Sequence, residues 1–124
     1  MPLPLQLARS LGTAPAAQAW AAIFEHAWSI CSAPLTTRGV AGEVTRRDRE
    51  VGTLDLFLTA AGWDLWSGFE ANVERTADAL ARWWSSQGGG RAVLLLDGLS
   101  LREVPWLLQG ATERGFHVHS ARVT

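Results

Sequence analysis

The sequence contains one cysteine, Cys31, and neither lysine nor tyrosine. A single cysteine excludes an internal disulfide and any thiolate metal cluster, and it suits a reducing compartment. All eleven basic residues are arginine, so neither a Walker lysine nor a Schiff-base lysine is available. Long apolar runs are missing as well: none approaches the ~20 residues needed to span a bilayer. The opening MPLPLQLARSLGTAPAAQAW lacks the basic segment and continuous apolar core of a secretory signal. A net charge of -1, with both signs dispersed, leaves no electrostatic footprint for nucleic acid or an anionic membrane. These absences predict a cytoplasmic chain with no membrane partner and no direct nucleic-acid surface.

What is present suffices for a core. A chain of 124 residues is one domain or part of one, and at that size roughly two-thirds of the unfolded surface can be buried. Pro2, Pro4, Gly12 and Pro15 break up a start in which LQLARSL can form about two helical turns. From Ala16 to Ser32, Trp20, Ile23, Phe24, Ala27, Trp28 and Cys31 recur at spacings of three and four, which predicts an amphipathic helix stopped by Pro34. The charged run EVTRRDRE, Glu43 to Glu50, reads as a solvated face, with an anion site as its alternative. Leu54, Phe57, Leu58 and Ala61 favour a helix, although Leu54, Leu56 and Leu58 also fit a strand. A long helix is expected from Asp64 to Ser86, with Leu65, Phe69, Val73, Ala77, Leu80 and Trp84 as its apolar stripe. Of the Trp83–Trp84 pair, one ring should pack against another helix or a partner; seven tryptophans without a tyrosine read chiefly as core filling.

The stretch RAVLLLDGLS, Arg91 to Ser100, organises the rest. Five consecutive apolar residues, Ala92 to Leu96, fit a strand covered on both faces, as in a parallel α/β sheet. A crossover helix from Leu101 to Arg114 and a second strand from Phe116 to Val123 would complete a βαβ unit. The expected fold class is therefore α/β: a mainly helical region over residues 1–90, then the start of a parallel-sheet domain over 91–124.

Open α/β sheets bind ligands beyond the carboxyl ends of their strands, which makes Asp97 the leading candidate for chemistry. Gly98 would let an ion or ligand approach the backbone. The spacing to Ser100 is wrong for a von Willebrand type metal site, and a Walker B role has no phosphate loop to serve. Asp97 is thus either one carboxylate ligand of a divalent metal such as Zn²⁺, Mg²⁺ or Mn²⁺, or a capping or structural aspartate. Ser100 and Glu103 have the spacing of a capping box, favoured over nucleophilic duty for Ser100 because no base is evident nearby. Pro105 suggests that the first turn is separate and the longer helix starts there. His117 and His119 alternate on one strand face, a polar face or a metal pair; His26 belongs to no motif.

The string LLLDGLSLREVPWLL, followed by GATERGFHVHSARVT, resembles the opening of a PglZ domain, a branch of the alkaline phosphatase superfamily found in bacterial phage-defence systems. The resemblance implies that Asp97 is a ligand of the catalytic metal centre, with Zn, Mn or Mg as the metal in a complete domain. The family's Thr or Ser nucleophile and its later Asp and His ligands have no counterpart here; Thr124 stands near where the nucleophile segment should begin, without a flanking motif. The expectation is an amino-terminal part of a PglZ-type phosphodiesterase-like hydrolase, inactive and holding no metal tightly as this fragment. Its partners would be the remainder of the α/β domain or other subunits of a defence complex. The alternative is a non-catalytic interaction module that contacts its partners through the tryptophan-rich helices.

Overall fold

The structure, a computed structural model, describes residues 5–35, 39–86 and 88–118. Among the described residues seven α-helices follow one another: α1 (Leu5–Thr13), α2 (Ala16–Ser32), α3 (Val40–Ala61), α4 (Trp63–Ser67), α5 (Phe69–Asn72), α6 (Thr76–Ser85) and α7 (Val104–Glu113). A 3₁₀ turn, Leu101–Glu103, leads directly into α7. The architecture is mainly helical.

Helix α2 is the hub, packing against α1, α3, α4, α5, α7 and the 3₁₀ turn. Alanine-rich sequence favours its helical state, and its end has a local cause: Ala33 precedes Pro34 and adopts φ -56, ψ 137, the extended conformation that a following proline imposes. Its apolar face supplies Trp20 and Ile23 to a core completed by Leu7 of α1 and by Leu54 and Leu58 of α3. Trp20 is only 2% exposed. Its ring meets Phe69 at 4.8 Å and 81°, and Trp66 at 4.8 Å and 65°, both edge-to-face. Such pairs add about 0.5–1.5 kcal/mol beyond area burial. Trp20 Nε1–H also donates to the Leu65 carbonyl at 3.2 Å, so the one polar atom of the ring is satisfied.

The charged run over 43–50 is helical, inside α3. Arg46 bonds both Glu43 and Glu50, and Arg47 bonds Glu43 at 3.0 Å; these are the i,i+3 and i,i+4 spacings that support a helix. Helix α3 therefore begins well before the apolar residues that the spacing identified.

The long helix expected from Asp64 to Ser86 is broken into three. Val73 is extended at φ -120, ψ 123, and Arg75 at φ -68, ψ 135. The break divides the apolar stripe. Leu65, Phe69 and Val73 pack against the core, whereas Ala77, Leu80 and Trp84 are exposed on α6. One straight helix would carry the whole stripe in a single direction, so the bend lets α4 and α5 close over Trp20.

The parallel sheet is not formed. No strand occurs among the described residues, and the expected α/β class is corrected to a helical one. The run from Ala92 to Leu96 forms neither helix nor strand, and Leu94 and Leu95 are 78% and 80% exposed. The second expected strand is described only over Phe116–Val118, where no strand is formed; residues 119–124 lie outside the described residues. A continuous apolar run permits burial on two faces, but a strand also needs neighbours for its N–H and C=O groups. The helical packing around α2 offers the run no such neighbour.

The segment is nevertheless anchored at both ends. Arg91 donates to the carbonyls of Trp83 and Trp84 at the end of α6 and lies 5.4 Å from the Trp83 ring centroid. Downstream, Pro105 is buried at the start of α7. That helix closes in a Schellman motif: Gly115 has φ 78, its N–H bonds the Thr112 carbonyl, and Phe116 N–H bonds the Ala111 carbonyl.

Candidate functional site

Asp97 sits in a turn directly after the apolar run, with Gly98 at φ 81 supplying a left-handed position that other residues avoid. Its carboxylate is exposed, and among the described residues no hydrogen bond or ion pair engages it. No group of three or more His, Cys, Asp and Glu side chains capable of holding a metal occurs among the described residues. His117 is exposed, and its partner in the His-x-His pair, His119, lies outside the described residues, as does Thr124.

Ser100 is a cap. Its Oγ accepts from the Arg102 N–H at 3.2 Å, while the Ser100 N–H donates to Glu103 Oε2 at 2.9 Å. Ser100 Oγ–H also donates to Glu103 Oε2. That hydroxyl bond is the main reason the Glu103 carboxyl lies below its ordinary range. Such a box satisfies the free amides of a helix start reciprocally. The first turn is separate, as Pro105 suggested, and its 3₁₀ geometry passes into α7 at Val104.

The feature with the geometry of a binding site lies elsewhere, where the end of α2, one face of α3 and the Ser100–Arg102 turn line an open-mouthed cavity of about 480 Å³. Cys31, Leu35, Val44, Val51 and Leu101 give it an apolar interior. Arg47 crosses one wall and is buried. Its Nη1 and Nη2 donate to the carbonyls of Cys31 and Pro34 at 3.3 and 3.1 Å, and its Nε to Glu43 at 3.0 Å. One guanidinium thus satisfies carbonyls at the end of α2 and joins α2 to α3. The bonds from Arg46 and then Arg47 lower the Glu43 pKa to about 2.

At the other side, Arg102 Nε and Nη2 reach Asp48 Oδ1 and Oδ2 at 2.9 and 3.1 Å, a bidentate pair that ties the turn to α3. The bond to Asp48 raises the Arg102 pKa. Burial raises that of the Cys31 thiol, with Arg47 opposing it, so Cys31 behaves as a small apolar wall residue. Asp55 also lines the cavity, and among the described residues its carboxylate has no hydrogen-bond or salt-bridge partner.

Asp97 is not among the cavity's lining residues, while Ser100 is. Reading the charged run as a solvated face missed Arg47, Asp48 and their neighbours as cavity residues. A signal was present: Val44 and Val51 are two helical turns apart, and Arg47 and Asp48, at three and four residues after Val44, fall between them on the same side.

Comparison of the chain with family models, curated proteins and solved structures gives no match. Among the described residues, no helix is long and apolar enough to cross a membrane.

Proposed function

We propose that the chain is an interaction module whose exposed apolar segment Ala92–Leu96 docks as an added strand onto the sheet of a partner chain. One observation carries this reading: the segment lies outside any helix, is exposed and consists of apolar residues only, and its backbone groups make no backbone hydrogen bond among the described residues. Strand addition would satisfy those groups and bury side chains worth about 1.5–3 kcal/mol each when fully covered. The resemblance to PglZ domains suggests a subunit of a multi-subunit defence complex as the partner. An open strand of this kind also pairs with itself when no partner is present.

Sedimentation velocity across a range of concentrations tests the reading. Concentration-dependent association is expected, weakened in Leu95→Asp, together with gained amide-exchange protection over 92–96 in the associated form. A monomer at every concentration, with those amides unprotected, would count against it.

A second reading follows from the exposure of Asp97 at the end of the same segment: a ligand of the metal centre in a PglZ-type phosphodiesterase whose other ligands come from outside the described residues. Phosphodiesterase assays with Zn²⁺ or Mn²⁺ separate the two. The 124 residues should be inert, and a protein carrying them together with the later Asp and His ligands should lose metal content and turnover in Asp97→Ala. Unchanged values there would sink the metal role.

A further inference from the structure

We propose that the cavity between α2, α3 and the Ser100–Arg102 turn is a binding site for a small hydrophobic amine, an alkyl or aryl body carrying one protonated nitrogen. Three observations combine. The first is the space itself, about 480 Å³ with an apolar lining, within the size range of small-ligand sites.

The second is the balance of charge around it. Arg47 is committed to Glu43 and two carbonyls, and Arg102 to both oxygens of Asp48. Among the lining groups Asp55 is left as the carboxylate without a partner among the described residues. A carboxylate ligand would have to displace an existing ion pair, whereas an ammonium can meet Asp55 without breaking any bond.

The third is Gly52. It lies in the interior of α3 and lines the cavity, and a Cβ built on it would meet no heavy atom within 4 Å. Glycine in a helix interior is destabilising relative to alanine. Nothing in the packing requires it there, so the missing side chain enlarges the cavity at the expense of stability, the trade-off found at binding sites.

The probes are hexylamine, hexanol and hexanoate, titrated at neutral pH and followed by amide chemical shifts. Hexylamine should shift amides around Cys31, Val44 to Asp55 and Leu101, and bind about fivefold more tightly than hexanol, the increment of one partly screened ion pair; hexanoate should bind more weakly than either. In Asp55→Asn the amine should fall to the level of the alcohol. Gly52→Leu should abolish binding of all three. Because a leucine is large enough to perturb α3 as well, Gly52→Ala is the second variant: its melting temperature should rise while its amine affinity falls, a combination that a purely structural glycine does not produce. Equal affinity for amine and alcohol, preference for hexanoate, absence of binding, or unchanged amine affinity in both Gly52 variants would each overturn the proposal.

Discussion

Residues 5–62 and residues 63–118 use the same kind of side chain in opposite ways. In the first region large apolar groups meet across α1, α2 and α3, and Trp20 is 2% exposed. In the second, Trp63 is 79% exposed, and among the described residues only Pro105 is buried. The difference lies in neighbours rather than hydrophobicity. Helices α1 to α3 face one another, so each apolar stripe finds another. After the bend at Val73, α6 carries the continuation of a core-facing stripe away from α2, and Ala92–Leu96 has apolar side chains without a facing layer. Hydrophobic sequence creates a demand for burial, and topology decides where that demand is met.

The comparison is most exposed to failure at its two ends. Trp20→Ala should cost about 3–5 kcal/mol, because it removes a buried ring at the centre of the aromatic cluster. Trp84→Ala should stay within about 0.5 kcal/mol, as an exposed position does. Urea denaturation of both variants measures the contrast. A Trp84→Ala cost comparable to that of Trp20→Ala would mean that the second region has a core of its own.

A second contrast uses arginines, and its scale is smaller. Arg47→Met removes a buried guanidinium and leaves the Cys31 and Pro34 carbonyls without their donor, which should cost about 1–3 kcal/mol. Arg102→Met breaks an exposed pair with Asp48, whose side chains are 61% and 43% accessible, and should change equilibrium stability far less than Arg47→Met. Its effect should appear instead as faster amide exchange in the turn over the cavity. Equal equilibrium losses for the two variants would show that the turn is as integral to folding as the α2–α3 contact.

The same division explains what could be read from the residues. Helix α2 was legible throughout, since its apolar spacing, alanine content and Pro34 stop all agree. The Ser100–Glu103 box and the separate first turn before Pro105 were legible too, because capping is local chemistry. Helix α3 was only half legible: its charged part is held by side-chain pairs that carry no hydrophobic period. The sheet was misread for a different reason. A run such as Val93–Leu96 states that both faces can be buried, yet it says nothing about whether a neighbouring strand exists, and none occurs among the described residues. The cavity was illegible because its walls come from positions far apart in the chain, from Cys31 to Arg102.

The finest test is electrostatic and concerns the joint between α2 and α3. Glu43 bonds Arg46 and Arg47, and its pKa falls from the ordinary 4.5 to about 2. A carboxyl whose folded pKa is depressed contributes stability that is fully present above its unfolded pKa and lost as pH falls through the folded one. The contribution of Glu43 should therefore be constant from neutral pH down to about pH 5, then decline through the window from 4.5 to about 2. Measuring urea midpoints for the wild type and Glu43→Gln over that range isolates it from other carboxyls. The gap between the two proteins should narrow as the solution becomes more acidic, modestly because the group is reached by solvent. A gap that stays constant down to pH 2 would mean that the charge of Glu43 does not support Arg47, and that the carbonyls of Cys31 and Pro34 alone hold the buried guanidinium in place.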